Sequence, residues 1–163
     1  MRKEKYCDMT ITDCESAQRL IDCAREARPK PLVYMLVWFG VVRGVPLRDL
    51  MRLRVGEVVA RRRFTVWNDK DRRYIELRLS PEERNTFREL LSGRNRGELL
   101  FYGGDEAGGM TERLLDGWVR RVCKKAGIGD NVKGYDTLMN THQEMKMQEI
   151  RERMRGEQTD FIL

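Results

Sequence analysis

The chain of 163 residues combines 36% charged with 40% hydrophobic residues, a balance that excludes a disordered protein and suits one domain with its own core. Its 32 lysines and arginines outnumber 26 acidic residues, and the resulting net charge of +6 favours a polyanionic partner. Because no apolar run is long enough to span a bilayer and the N-terminus lacks the apolar core of a signal peptide, we predict a cytoplasmic or nucleoid-associated protein without a membrane partner.

Three helices are predicted in the first third of the chain. Apolar residues recur at helical spacing over residues 12–27, with Thr12 or Asp13 as the N-cap. After two prolines, the apolar run of residues 32–42 predicts a buried helix, since it begins behind proline and is longer than ten residues. A short amphipathic helix over residues 47–53 is expected to end at Gly56 and to carry Arg48, Arg52 and Arg54.

A β-hairpin is predicted in the middle of the chain. Residues 58–67 and 72–79 are rich in strand-forming side chains, the second segment alternates polar and apolar positions, and residues 68–71 supply the turn. Ser80, Pro81 and Glu83 then match a capping box with proline at the first helical position. A helix should therefore begin directly after the hairpin.

The remainder of the chain is predicted to be mostly helical. A short apolar segment at residues 99–101 and a glycine-rich loop at 103–109 precede Thr111, which should cap a helix that ends at Gly127. A last helix is expected from Tyr135 or Asp136 to about Arg155. We divide the chain into an N-terminal arm of residues 1–10, a domain of residues 11–143 and a helical tail of residues 144–163.

Cysteine and histidine are too few and too scattered for a metal site. The cysteines form no CxxC pair, and His142 is the single histidine. Because structural zinc sites need four such ligands at close spacing, we predict no metal and no other cofactor. Reduced thiols are expected, with Cys14 and Cys23 as small apolar fillers on the first helix.

Several short strings, taken in order, resemble one known family. They are Gly44-Val-Pro-Leu-Arg-Asp-Leu-Met-Arg-Leu-Arg54, the strand exit at residues 74–81, Leu100-Phe101, Ala126-Gly-Ile128 and Gly134-Tyr-Asp-Thr-Leu-Met-Asn-Thr141. Each is similar to a segment of the catalytic domain of tyrosine recombinases, the phage integrase family, and the match runs from about residue 10 to residue 145. The resemblance implies a mainly α fold with a small antiparallel β-hairpin, an α+β domain.

The same resemblance implies that the catalytic residues are missing. The family uses a tyrosine nucleophile, two arginines and a histidine that stabilise charge on the phosphorus, and a hairpin lysine as general acid. The first arginine position falls on Pro46, the histidine on Asp136 and the second arginine on Met139, while Lys70 is the counterpart of the lysine. None of the five tyrosines lies in the C-terminal tail. These four positions are therefore expected to form a vestigial site with no catalytic residue.

The favoured hypothesis is a non-catalytic DNA-binding protein, a pseudoenzyme that modulates recombination or the maintenance of a mobile element. Arginines cluster on the short helix and the hairpin, where they are expected to contact the phosphates of duplex DNA. The predicted contact residues are Arg43, Arg48, Arg52, Arg61, Arg62, Lys70, Arg72 and Arg73.

Three alternatives remain open at this stage. The chain could be an enzyme, either an active recombinase with an atypical site or a split recombinase whose tyrosine comes from another chain. It could instead inhibit a related recombinase, or form a homo-oligomer, through its C-terminal tail. A generic regulator with a basic helix and a wing-like hairpin is the third, since that order loosely resembles a winged helix.

Overall fold

A computed structural model describes residues 14–101, 111–128 and 132–162. The predicted N-cap at Thr12 or Asp13, Cys7 and the glycine-rich loop lie outside these residues. Helix α1 spans Cys14–Glu26 and α2 spans Leu32–Val41, both close to their predicted bounds. Nine of the ten residues of α2 are buried, which confirms that this apolar run is the central core helix.

The short basic helix is shorter than predicted. Helix α3 covers Leu47–Met51, with Arg52 at its C-cap, so Arg54 lies beyond it. Gly56 does not end this helix but begins a π-helical turn, Glu57–Arg61, with φ at −61°. A side chain at Gly56 would place its Cβ 2.9 Å from the carbonyl oxygen of Arg96, so the residue is small because the two backbones approach closely.

The predicted hairpin is present, but its first strand begins later than expected. Strand β1 is Arg63–Asn68 and strand β2 is Arg73–Arg78, paired antiparallel from Arg63 opposite Arg78 to Asn68 opposite Arg73. The prediction of a strand at residues 58–62 was wrong, because the π-helical turn occupies them and Arg62 adopts a left-handed conformation with φ of 61°. Val58 lies in this turn, and its side chain is nevertheless buried, which explains why it is apolar.

The predicted capping box is confirmed after the hairpin. Helix α4 spans Pro81–Leu90; Ser80 Oγ accepts from the Glu83 amide, and Glu83 Oε1 accepts from the Ser80 amide. Helix α5 spans Glu112–Lys125 and begins at the Thr111 cap as predicted. Helix α6 runs from Tyr135 to Ile162, past the predicted end and without a break at residue 144. No described helix is long and apolar enough to span a membrane.

The core lies around α2. Phe39 on this helix packs against Phe64 of β1 and Phe87 of α4, with ring centroids 5.8 and 5.3 Å apart. On another side, α6 approaches so closely that a Cβ at Gly40 would lie 2.8 Å from Cβ of Leu138. Burial raises the pKa of the Cys123 thiol to about 12, so this side chain stays protonated and fills the core as an apolar group.

Candidate functional site

A buried hydrogen bond joins the segment before α3 to the start of α6. Tyr135 Oη donates to the carbonyl oxygen of Val45 at 2.5 Å, and both residues are buried. Burial, with a further contribution from Asp49, raises the pKa of the Tyr135 phenol, so it remains a donor. The next residues along the chain, Pro46 and Asp136, consequently line the same cavity.

This cavity, which we call the acidic cleft, has a volume of about 250 Å³. Its lining contains four carboxylates and one guanidinium among the described residues. The lining residues are Pro46, Leu47, Arg48, Asp49, Trp67, Glu112, Asp116 and Asp136. Arg52, which pairs with Asp49 at 2.8 Å, offsets one of these carboxylates. Negative groups then outnumber positive ones by two, which disfavours the entry of an anion.

Two of the four carboxylates have structural partners. Asp116 Oδ1 accepts from the Tyr135 amide at 2.8 Å and so caps the start of α6. The buried Asp49 accepts from the Trp67 amide and from the Arg52 guanidinium, both at 2.8 Å, which ties α3 to the hairpin. Glu112 and Asp136 are exposed. The charge of the cleft therefore comes partly from groups that hold the fold together and partly from groups free to interact with solvent.

A second and larger concavity lies at the other end of the hairpin. This groove, which we call the arginine groove, has a volume of about 700 Å³. Its charged lining consists of five arginines and two glutamates, the reverse of the balance in the acidic cleft. These residues are Arg61, Arg62, Arg63, Arg78, Arg84, Glu57 and Glu76.

The two concavities follow one face of strand β1. Arg63 and Thr65 line the arginine groove and Trp67 lines the acidic cleft, and side chains two residues apart share a face of a strand. At about 3.3 Å per residue, Arg63 and Trp67 lie about 13 Å apart along the strand. One surface thus carries a basic region and an acidic region side by side.

Removal of the Tyr135 hydroxyl tests the bond that aligns the cleft. In Tyr135→Phe the buried carbonyl of Val45 loses its described donor, which should lower the free energy of unfolding by about 1–2 kcal/mol. Chemical denaturation measures this loss. Tyr34→Phe is the matched control, since the Tyr34 hydroxyl makes no hydrogen bond with another described residue, and equal losses in both variants would contradict the proposed alignment.

Two solved structures share this arrangement of helices and hairpin. The crystal structure of XerH site-specific recombinase bound to difH substrate, a pre-cleavage complex, matches with a TM-score of 0.61 and 17% identity over 86% of this chain. The post-cleavage complex of XerH with palindromic difH substrate gives a TM-score of 0.58 and 16% identity over 84%. The fold is that of a tyrosine recombinase catalytic domain.

The likeness to the XerH structures is one of fold. The chain spans 44% of the first XerH chain and 42% of the second, less than half of each. No protein-family model matches the chain, and no curated protein matches it.

Within the recombinase-like fold, the four positions carried over from the family lie in different surroundings. Pro46 and Asp136 line the acidic cleft. Met139, one helical turn after Asp136, is half-buried against the core and is not among the described cleft residues. Lys70 is exposed on the hairpin turn, and the hairpin reaches the cleft through Trp67 instead.

Some of the predicted DNA-contacting side chains are already paired within the protein, and others are not. Arg43 Nη2 donates to the Arg78 carbonyl at 2.7 Å, and its Nε lies 3.7 Å from the buried carboxylate of Glu83. Arg52 is paired with Asp49, whereas Arg48 is exposed at the rim of the acidic cleft. The others are exposed and form no ion pair with a described residue: Arg61, Arg62, Lys70, Arg72 and Arg73.

Sequence reasoning missed three arginines of the groove. Arg63 and Arg78 are opposite each other in the hairpin, and Arg84 lies in the first turns of α4. The alternation of residues 74–79 was a usable signal for Arg78, but its partner follows only from a register that begins at residue 63. Because the first strand was predicted to start five residues earlier, that pairing was not apparent.

Proposed function

We propose that the protein binds duplex DNA and does not cleave it. The observation that carries this proposal is the composition of the acidic cleft, which is lined by Pro46 and Asp136. The sequence resemblance assigns these two residues to the family's first arginine and its histidine. A proline offers neither a side-chain donor nor a positive charge to a phosphate. The carboxylate of Asp136 adds repulsion where the family supplies stabilisation.

The electrostatic argument follows from the chemistry of strand cleavage. Negative charge builds up on the phosphoryl oxygens in the transition state, so the site must supply positive groups or donors. Each carboxylate about 4 Å from a phosphate oxygen costs about 1 kcal/mol in water and about 4 kcal/mol at the lower effective dielectric constant of a protein surface. The four carboxylates are offset only by Arg48 and by Arg52, the partner of Asp49, so the cleft is unsuited to that reaction.

Two observations support binding to DNA. The similar XerH structures are recombinases bound to DNA substrates. The chain is basic overall, with a pI near 9.3, and its excess charge is concentrated around the hairpin. Phosphate contacts of exposed arginines and lysines release counterions and provide affinity without sequence readout. The proposed contact surface includes Arg48, Arg61, Arg62, Lys70, Arg72 and Arg73, while Arg43 and Arg52 act mainly within the domain.

The decisive experiment is a search for a covalent intermediate. The protein is incubated with a randomised pool of nicked suicide duplexes, and an active tyrosine recombinase on its own site serves as the positive control. We expect no band that survives denaturation, because the cleft cannot stabilise the attacked phosphate and no tyrosine was assigned as the nucleophile.

A denaturation-resistant band would overturn the non-catalytic part of the proposal and favour an active or split recombinase. Replacing each of the five tyrosines by phenylalanine would then identify the nucleophile. Duplex binding, measured separately by anisotropy on intact DNA, tests the other part of the proposal. Absence of binding at low salt would overturn it.

A further inference from the structure

The arginine groove has the features of a phosphate-binding surface. We propose that this groove, rather than the cleft that matches the family's catalytic site, anchors the sugar–phosphate backbone of duplex DNA. The inference rests on the DNA-binding function proposed above and adds the location of the contact. It places the main anchor at the end of β1 that adjoins Arg61 and Arg62, with Lys70, Arg72 and Arg73 at the turn end of the hairpin as additional contacts.

The positive charge of the groove is held on a fixed backbone. Three consecutive arginines connect the π-helical turn to β1, and the middle one, Arg62, is fixed from both sides of its peptide backbone. Its amide donates to the Glu57 carbonyl at 2.9 Å, and its carbonyl accepts from the Leu79 amide at 3.0 Å. Arg61 and Arg62 are exposed and form no ion pair with a described residue. Little backbone ordering is therefore needed when an anion binds.

Three of the remaining charged side chains of the groove can adjust to a bound phosphate. Glu76 lies 3.5 Å from Arg63 and 3.0 Å from Arg78, and all three side chains are substantially exposed. Exposed ion pairs contribute little stability, so a phosphate can replace the Glu76 carboxylate as the partner of either arginine at low cost. Glu76 consequently acts as an internal competitor of the ligand.

The chemistry of the lining favours the backbone of a duplex over unpaired bases. Proteins that bind single strands stack bases on exposed aromatic side chains. The aromatic residue of this groove, Phe64, is 6% exposed and belongs to the core. Arginines without a stacking surface match phosphate contacts, which position a duplex without reading its sequence.

The charged end of the groove is separated from the acidic cleft along β1. Arg63 of the groove lies about 13 Å along the strand from Trp67 of the cleft, at about 3.3 Å per residue. At physiological ionic strength, interactions between exposed charges are largely screened beyond about 8 Å. A phosphate in the groove therefore experiences its five arginines and two glutamates more strongly than the carboxylates of the cleft.

The test compares two pairs of charge-neutralising substitutions. Arg61→Gln with Arg62→Gln removes two charges from the groove. Arg121→Gln with Lys124→Gln removes two exposed charges from α5 that line neither the groove nor the acidic cleft. Binding to a mixed-sequence duplex is measured by anisotropy from 50 to 300 mM salt, and folding is checked by thermal unfolding. The groove pair should lower the salt slope by about one to two units and weaken binding about tenfold or more at 100 mM salt, while the control changes affinity by about twofold or less.

A substitution in the opposite direction makes the test reciprocal. Glu76→Gln removes the competitor and should tighten duplex binding, whereas Glu15→Gln, an equal charge change on α1, should have little effect. If the unaltered protein binds duplex DNA and the groove and control variants have equal effects, the assignment of the contact to the groove is overturned, but the DNA-binding function is not. Failure of the unaltered protein to bind duplex would overturn the proposed function as well. Stronger competition by single-stranded DNA than by duplex would refute the assignment to a duplex.

Discussion

Replacing Glu83 with alanine should lower the free energy of unfolding by about 3 kcal/mol, the cost of removing one partner from a buried ionic network. The Glu83 side chain is 4% exposed, accepts from Trp38 Nε1 at 2.7 Å and from the Ser80 amide at 2.9 Å, and lies 3.7 Å from Arg43 Nε. Its loss leaves the part-buried indole of Trp38 and the Ser80 amide without their acceptor.

Urea denaturation of the Glu83 variant measures this cost. Glu82→Ala is the matched control, because Glu82 occupies the same helical turn but is exposed, and its loss should be within about 0.5 kcal/mol. A loss below about 1 kcal/mol for Glu83→Ala would mean that the network contributes little, since an unsatisfied buried group alone costs about 1–3 kcal/mol.

Reversing the charge of the acidic cleft should increase affinity for duplex DNA without creating cleavage activity. Glu112→Lys combined with Asp136→Lys exchanges the two exposed carboxylates of the cleft for ammonium groups and leaves the structural Asp49 and Asp116 unchanged. The footprint can then extend from the arginine groove into the cleft. We expect about two more phosphate contacts, a salt slope steeper by about 1.8 units and an affinity gain of tenfold or more at low salt.

Remote reversal at Glu15→Lys and Asp22→Lys on α1 controls for net charge. Thermal unfolding is needed as a second measurement, because Asp136 lies in the first turn of α6, where a negative charge is favourable by about 0.3–1 kcal/mol. If the cleft and α1 variants gain the same affinity, net charge and not the cleft governs binding. A covalent adduct with the cleft variant would contradict this prediction, because it would show that the chain contains a nucleophile that the carboxylates of the cleft hold inactive.

The sequence predicted those elements whose determinants are local. The central helix follows from an unbroken apolar run, and α4 follows from Ser80, Pro81 and Glu83, which lie within four residues of one another. The predicted start of β1 was wrong. Val58 and Val59 are good strand residues and suggested a strand, but the π-helical turn that they form depends on contacts with other segments. One of these contacts is the approach of Gly56 to the Arg96 carbonyl.

The candidate site was harder to predict from the sequence because it is assembled from segments that are far apart along the chain. Pro46 and Asp136 were paired only through resemblance to a family, and the bond between Tyr135 and Val45 that brings them together spans 90 positions. The acidic character of the cleft depends on Glu112 and Asp116, which no local pattern connects to α3. Such a grouping requires the tertiary fold.

The unequal charge along β1 gives this surface an electric dipole as well as a net charge. A dipole experiences a torque in the field of a polyanion before any contact forms. The arginine groove would turn toward the DNA duplex, and the acidic cleft would turn away from it. Collisions would then begin in a restricted range of orientations, which speeds productive association. The field of DNA decays over about 8 Å at physiological salt. As salt is added, this orientational preference would therefore be lost at a lower salt concentration than the direct contacts.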